Sequence, residues 1–193
     1  MPKLGMEPIR RAALVKATIA EIGVTGSLDV TVSQIAKRAG MSSALAHHYF
    51  GGKDQIFLAA MRHILTVYGA EARGALVMAD GPRGRVEAII RAGFTTTNFR
   101  RDVVAAWLNF YVLAQSSGAA RRLLTIYQRR LQSNLIHALR PLAGDRAADI
   151  ATRLAALIDG MYLHAALRMD GIDNGTATDH LLTLLDIELK AAT

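Results

Sequence analysis

The sequence predicts an all-α protein. Of its 193 residues, 51% are apolar and only 4 are proline, so the chain has enough apolar material for a compact core and few residues that interrupt helices. Apolar residues recur at three- and four-residue spacing along most of the chain, and strand-like alternation is rare. We therefore expect an N-terminal bundle of three helices followed by a larger helical domain.

The first helix is predicted from Pro8 to about Gly23. Proline suits the first turn of a helix, because the N–H that it lacks would have no partner there. Residues 1–7 are expected to form a flexible arm with Lys3 at its tip, and a loop should run from Gly23 to Asp29. The apolar side of this helix is expected to pack against the next two helices.

Residues 31–50 predict two short helices joined by a tight turn, which is a helix-turn-helix pattern. Thr31 and Gln34 have the spacing of a capping box, Gly40 can take the left-handed conformation that ends the first helix, and Ser42 can cap the second. Helices this short are not stable alone. The usual reason to hold such a pair at a fixed angle is to place the second helix in a DNA major groove. The alternative is an ordinary hairpin inside an all-α domain.

The side chains of the second helix favour DNA binding over the ordinary hairpin. Hydroxyl groups lie at both helix N-termini, where phosphate oxygens are well received, and few large apolar residues remain to be buried in a core. Ser43 and Leu45 are expected to face base edges, and Lys53 is expected to contact a phosphate. The predicted DNA-binding residues are Thr31, Ser42, Ser43, Ala44, Leu45, His47, His48, Tyr49 and Lys53.

The net charge of +7 is not concentrated in this motif. Residues 1–54 carry seven Lys and Arg against four Asp and Glu, a net +3, so residues 55–193 carry the remaining +4. Because the location of basic charge decides its meaning, DNA binding is predicted from the motif and not from the charge.

A run of basic residues without an acid lies between positions 121 and 140. It can be interpreted as a second nucleic-acid surface or as solvated helix faces that pair with Asp145, Asp149 and the C-terminal aspartates, and we favour the second interpretation. The run consists of Arg121, Arg122, Arg129, Arg130 and Arg140.

Downstream of two consecutive glycines, the pattern predicts a long helix from Lys53 to Leu76 or Met78. At about 1.5 Å per residue it would span about 35 Å and join the first bundle to the next domain. A break over residues 79–84 follows. Five further helices are predicted over residues 82–99, 101–116, 118–140, 145–169 and 175–191.

Catalytic and metal-binding patterns are weak. The absence of cysteine excludes disulfides, a thiol nucleophile and a zinc–thiolate site. The glycines before Lys53 lack the remainder of a phosphate loop, and the adjacent His47 and His48 cannot share one helix face as metal ligands do. We expect no enzyme activity, cofactor or metal. Without an apolar run of spanning length or a leader, the protein is expected to be soluble and cytoplasmic, with no membrane partner.

A second candidate site lies in the C-terminal helices. Trp107 and Tyr111 share one helix face, and Tyr127, Asp159 and Tyr162 come from two later helices. Plain core packing is one interpretation. The other is an effector pocket among the helices, since aromatic rings and one carboxylate suit a quaternary ammonium ion. The predicted effector-binding residues are Trp107, Tyr111, Tyr127, Asp159 and Tyr162.

The last two predicted helices are expected to form a homodimer interface. One monomer has little left to cover their apolar faces, so a two-fold arrangement of four helices is expected. These faces consist of Ala151, Leu154, Ala155, Ile158, Tyr162, Ala165 and Ala166 on one helix, and Leu181, Leu182, Leu184, Leu185, Ile187 and Leu189 on the other.

The chain resembles the TetR family of transcriptional repressors in the run Ser-Gln-Ile-Ala-Lys-Arg-Ala-Gly-Met-Ser, followed by His-Tyr-Phe and the Lys53 that opens a long helix. The resemblance is specific over about the first 65 residues. It implies an operator-binding helix-turn-helix domain over residues 8–68, and an effector-binding and dimerisation domain over residues 69–193. Ala44 and His47 depart from residues common in the family and lie on the reading helix, so the operator sequence cannot be carried over.

Residues 2–11, 48–53 and 59–62 are most similar to one branch of that family, the choline-responsive repressors of glycine betaine synthesis. This similarity implies that choline is the effector and relieves repression. One alternative is a TetR-type repressor that responds to a different hydrophobic or cationic small molecule. Another, from a different class, is a helical ligand-binding or scaffold protein that never meets DNA.

Overall fold

The computed structural model describes residues 5–167 and 173–191, and every regular element within these ranges is a helix. This confirms the all-α prediction. No helix in the described ranges is both long and apolar enough to cross a membrane. The helices are α1 Met6–Thr25, α2 Val32–Arg38, α3 Ser43–Phe50, α4 Lys53–Val77, α5 Gly81–Gly93, α6 Arg101–Ser116, α7 Gly118–Ala143, α8 Ala147–Leu167 and α9 Asn174–Lys190, with a 3₁₀ turn Gly144–Arg146 before α8.

The helix-turn-helix of α2 and α3 has the predicted caps. The Thr31 hydroxyl accepts a hydrogen bond from the Gln34 N–H at 3.2 Å, and the Gln34 side chain accepts one from the Thr31 N–H at 2.7 Å. Gly40 has a φ of +67°, and the Ser42 hydroxyl accepts from the Leu45 N–H at 3.2 Å. These local hydrogen bonds fix both ends of the turn, and α1 and α4 pack against the pair.

α1 does not end at Gly23 as predicted but continues to Thr25. The left-handed residue that ends it is Gly26, with a φ of +72°, whose N–H bonds to the Ile22 carbonyl at 2.7 Å. Gly23 has a different role, because α6 approaches the helix there. The helix also begins at Met6, so only part of the predicted arm precedes it, and residues 1–4, including Lys3, lie outside the described residues.

α5 ends at Gly93 and not at residue 99 as predicted. The three threonines that follow have low helix propensity, and the Thr95 hydroxyl accepts a hydrogen bond from the Asn98 N–H at 3.2 Å. The Asn98 amide donates to the Ala92 carbonyl at 2.8 Å, which satisfies one open group at the helix end. The segment after α5 is therefore a hydrogen-bonded turn.

The other boundaries differ by a few residues. α7 passes through Pro141 to Ala143, because proline in the last turn removes only one helical hydrogen bond. α8 begins at Ala147, after the 3₁₀ turn, and the last two residues of its predicted range, 168–169, lie outside the described residues. Asp173 caps α9 by accepting a hydrogen bond from the Thr176 N–H at 2.7 Å.

The core is continuous from the first bundle to the last helices. Buried side chains of α1–α4 and of α5–α9 belong to one hydrophobic cluster. α4 runs across residues 68 and 69, where the two domains were predicted to meet, and α1 packs against α6. α1 and α4 therefore each contact both the helix-turn-helix and the C-terminal helices.

Much of the predicted dimer face lies inside a single protomer, so that part of the prediction is wrong. α8 packs against α6 and α7, and α9 packs against α5 and α8, so the same chain covers these positions. The large apolar residues that stay exposed on the described parts of these helices are Leu163 at 44%, Leu167 at 67% and Ile187 at 59%. The interior positions are Ala151, Leu154, Ile158, Tyr162, Leu181 and Leu185.

The ion pairs predicted between the basic run and Asp145, Asp149 and the C-terminal aspartates do not form among the described residues, which leave out Asp170. Arg121 instead donates to the carbonyls of Ala114 and Gln115, at 3.1 and 2.6 Å, and so caps the end of α6.

Candidate DNA-reading helix and effector site

The N-terminal half of α3 faces away from the core. Ala44 is exposed, Ser43 and Leu45 are partly exposed, and Ala46 is fully buried. The Ser42 hydroxyl caps α3 as an acceptor and keeps its own proton to donate. The Thr31 hydroxyl is less free, because it donates to the side-chain amide oxygen of Gln34 at 2.8 Å while it caps α2.

Two arginines of α1 lie against the far end of α3. His47 and His48 are exposed. The Tyr49 hydroxyl accepts a hydrogen bond from the Arg10 guanidinium at 3.4 Å, and the Arg11 guanidinium lies 5.5 Å from the Tyr49 ring centre. Neither arginine is among the DNA-binding residues predicted from the sequence, because their contact with α3 is a tertiary one.

Lys53 begins α4, where Gly52 offers no side-chain cap. Its ammonium lies 5.6 Å from the centre of the Phe57 ring, a cation–π contact that holds the side chain near the helix start. The open N–H groups of that turn and this ammonium together form a site suited to a phosphate. Within the described residues, no group of three or more His, Asp or Glu is placed to hold a metal ion.

Four aromatic side chains from four helices surround a small cavity, and we name them the aromatic box: Tyr68, Trp107, Tyr127 and Tyr162. The Trp107 ring centre lies 4.7 Å from that of Tyr127 and 6.0 Å from that of Tyr162, and Tyr68 lies 5.8 Å from Tyr127. The cavity volume is about 10 Å³, which is room for about one water molecule. The box is therefore nearly closed.

Tyr162 is fixed by the turn after α5. Its hydroxyl donates to the Gly93 carbonyl and lies 3.3 Å from the Asn98 carbonyl. Burial raises the pKa of Tyr162 and of Tyr127 well above the ordinary value, and raises the pKa of Tyr68 to about 12. The box tyrosines are therefore neutral at physiological pH and present ring faces without charge.

Tyr111 and Asp159 do not line the cavity, although the sequence predicts them in the same pocket as Trp107. The Tyr111 ring lies behind Trp107, 5.7 Å between ring centres, and its hydroxyl donates to an Asp159 carboxylate oxygen at 2.9 Å. Burial raises the pKa of Asp159, and the hydrogen bond from Tyr111 offsets part of that effect. Asp159 therefore lies one side chain away from the box wall.

A second carboxylate, Glu71 of α4, was missed from the sequence. One of its oxygens accepts hydrogen bonds from the Asn98 amide and the Thr95 hydroxyl, both at 2.7 Å, and Asn98 itself lines the cavity. Tyr68 and Glu71 are three residues apart, so they share one face of α4. That spacing was the available signal, but the sequence does not show which face of a long helix meets the other helices.

Residues 14–60 match the family described as bacterial regulatory proteins, tetR family, and residues 82–190 match BetI-type transcriptional repressor, C-terminal. The chain belongs to the TetR family, with a BetI-type C-terminal domain. Two relatives are named HTH-type transcriptional regulator BetI. The one from Brucella melitensis is 52% identical over 98% of this chain and 96% of its own, and the one from Agrobacterium fabrum is 48% identical over 99% and 93%.

Solved structures show the same fold. A transcriptional regulator from Pseudomonas aeruginosa superposes with a TM-score of 0.77 at 26% identity, over 98% of this chain and 94% of its own. A transcriptional regulator from Saccharomonospora viridis, solved in complex with choline, superposes with a TM-score of 0.82 at 22% identity, over 91% and 95%. This BetI-type chain is thus a DNA-binding transcriptional regulator, and the relatives indicate no enzyme family.

Proposed function

We propose that this BetI-type regulator represses genes for the conversion of choline to glycine betaine in the cytoplasm, and that choline relieves the repression. In this proposal residues 8–68 read the operator, while residues 69–193 hold the effector and pair two copies through α8 and α9. The relatives named BetI and the aromatic box support the proposal from independent directions.

The DNA side rests on α3. Ser43, Ala44 and Leu45 are the accessible side chains at its N-terminal half, which is the part of a recognition helix that meets base edges. Ser42, Tyr49 and Lys53 provide donors for the phosphates on either side. Thr31, His47 and His48 complete the proposed surface, with Thr31 acting mainly through the cap of α2.

The effector side rests on the aromatic box, the observation that carries the choice of choline. A quaternary ammonium ion has no N–H to donate, so ring faces and a nearby negative charge are what can recognise it. Trp107, Tyr127 and Tyr162, all predicted effector residues, line the cavity together with Tyr68. Because the cavity holds only about 10 Å³, choline must widen it on binding.

Two carboxylates flank the box and can supply the counter-charge. Asp159 acts through Tyr111 and Trp107 on one side, and Glu71 acts through Asn98 on the other. The matched substitutions Asp159→Asn and Glu71→Gln remove one negative charge each and keep the shape. The larger loss of choline affinity identifies the counter-charge.

The helices that carry the box residues can transmit the widening of the cavity to the helix-turn-helix. Trp107 is on α6, which packs against α1, and Tyr68 is on α4, which begins at Lys53 beside α3. For choline to release DNA, it must bind the widened conformation better than the conformation that binds the operator. Equal affinity for both conformations would shift nothing.

The first experiment is a gel shift with the upstream region of the protein's own gene, with and without choline. Calorimetry then gives the choline affinity of the free and the operator-bound protein. We expect weaker choline binding when operator is bound. Equal choline affinities would remove choline as the effector, and titration with other cationic and hydrophobic compounds would then test the alternative. A failed gel shift on that region would leave the proposed target genes without support.

A further inference from the structure

A groove of about 420 Å³ opens between α4 and α7, beside the aromatic box. Tyr68 and Tyr127 line both spaces, so their side chains separate the groove from the box. The groove has the volume of a small-molecule site, about 300–1,000 Å³. It is much larger than the cavity of the aromatic box, and the proposed function does not use it.

The floor of the groove is apolar. Ile126 lies in it with 44% of its surface exposed, so this apolar side chain is accessible to a ligand, and a mostly apolar lining is typical of small-molecule sites. The other apolar residues of the floor are Leu65, Ala72 and Leu76 from α4, and Leu123 and Leu131 from α7.

The groove is also basic. Arg62 and Arg73 from α4 and Arg130 from α7 line it, and all three are exposed. Among the described residues, no acidic side chain forms an ion pair with any of them. Three unpaired guanidinium groups around one concave surface repel cations and provide planar donors that match a carboxylate.

We propose that this groove binds an amphipathic organic anion, namely a medium-chain fatty acid. Its hydrocarbon tail lies on the floor formed by α4 and α7, and its carboxylate meets the arginines. The apolar floor and the basic groups are both required, because either alone would accept a different class of ligand. This proposal does not depend on choline being the effector.

Binding in the groove has a consequence for the box, and this consequence does rest on the proposed function. The box must widen to admit choline, and the groove is open space on the other side of Tyr68 and Tyr127. A fatty-acid tail in the groove occupies the space into which these two rings would move. The fatty acid in the groove therefore weakens the binding of choline in the box.

The binding test is calorimetric titration of the full chain, without choline, with octanoate, octan-1-ol and acetate. These probes separate the head and the tail. We expect octanoate to bind one per protomer, and octan-1-ol and acetate to bind at least tenfold more weakly. Equal binding of octanoate and octan-1-ol would show a hydrophobic surface without anion recognition and would overturn the proposal, as would no binding of octanoate.

Variants locate the site. Arg130→Gln and Arg73→Gln should each weaken octanoate about tenfold, because each removes a charged hydrogen-bond partner. Ile126→Asn should weaken it through the tail. Arg122→Gln is the matched control, since Arg122 is an exposed arginine on α7 that does not line the groove. Circular dichroism checks that each variant is folded. Wild-type affinity in all three groove variants would overturn the assignment.

A competition experiment tests the opposition between the two ligands. Choline is titrated with and without saturating octanoate, and we expect its dissociation constant to rise at least threefold, with the reciprocal effect on octanoate. Unchanged choline affinity would overturn the opposition. Failure of choline to bind even without octanoate would overturn the proposed function. The titration with octanoate alone would still test whether the groove binds a fatty acid.

Discussion

Gly23 of α1 packs so closely against Asp102 of α6 that a Cβ on Gly23 would lie 2.4 Å from the Asp102 Cβ and 2.7 Å from its Cα. A second contact lies one turn away, where the Asn109 amide donates to the Gly26 carbonyl at 3.2 Å. α1 supports the helix-turn-helix and α6 carries Trp107. The two halves of the molecule thus meet with almost no space between backbones.

Gly23→Ala is expected to destabilise the protein by about 1–3 kcal/mol, because the new methyl group must push α6 away. Alanine is otherwise the better helix former, so a free site would show the opposite sign. Gly74→Ala on α4 is the matched control, since a Cβ there meets nothing within 4 Å, and it should stabilise by about 0.5–1 kcal/mol. Urea unfolding of both variants measures the difference. A stable Gly23→Ala variant would mean that the contact relaxes at little cost.

Ser43→Ala is expected to change operator preference and leave stability almost unchanged, because Ser43 faces base edges in the proposed complex and caps no helix. Ser42→Ala is the contrasting variant. It removes the cap of α3 and should lower the free energy of unfolding by about 1 kcal/mol. Selection from a randomised operator library reads the preference of each, and an unchanged preference would remove Ser43 from the reading residues.

Lys53→Ala is expected to weaken binding to all DNA sequences alike and to lower the slope of log affinity against log salt by about one unit. The reason is that a phosphate contact releases a counterion but carries no sequence information. Arg122→Ala is the control, because Arg122 lies on α7, outside the proposed DNA surface. A loss confined to the specific operator would contradict the phosphate role.

Trp107→Leu is expected to weaken choline binding about tenfold, since one cation–π contact with a desolvated cation contributes about 1–2 kcal/mol. Leucine keeps much of the bulk, which avoids the cavity that alanine would leave. Operator affinity without choline should stay near the wild-type value. If the variant binds choline like the wild type, choline binds elsewhere in the protein.

Asp159→Asn gives a test that depends on pH. Burial raises the pKa of Asp159 in the folded state above its ordinary value of 3.8. The folded state therefore holds this proton more tightly than the unfolded state does. As the pH rises from the ordinary pKa through the raised one, ionisation of Asp159 lowers the free energy of unfolding. The variant should therefore melt no lower than the wild type at neutral pH and yet bind choline more weakly. Choline affinity of the wild type should itself fall as pH falls through the raised pKa. A variant that melts several degrees lower would show that the carboxylate is structural.

The parts of the fold that depend only on residues close together in the sequence could be predicted from the sequence. The capping box of Thr31 and Gln34, and the left-handed Gly40, are local features and were predicted correctly. The end of α5 at Gly93 was not predicted correctly. It depends on the Asn98 amide, which donates both to the Ala92 carbonyl and to Glu71 of another helix.

The same distinction explains the candidate sites. The sequence identified Trp107, Tyr127 and Tyr162 as members of one aromatic cluster, but placed Asp159 in it directly and missed Tyr68. The predicted dimer face was wrong only in part, for a related reason, since periodicity shows that α8 has an apolar side and does not show which neighbour covers it. Helix existence is a local property, whereas the assignment of faces is decided by packing.

The aromatic box also gives the protein an internal optical reporter. Trp107 is the only tryptophan of the chain, and Tyr127 and Tyr111 lie within 6 Å of its ring centre. When these tyrosines absorb ultraviolet light, their excitation energy is transferred to the indole by resonance energy transfer. The tryptophan emission that follows excitation of tyrosine therefore depends on how closely the rings are packed. Any event that opens the box changes the intensity and colour of that emission, without a label and in the native chain.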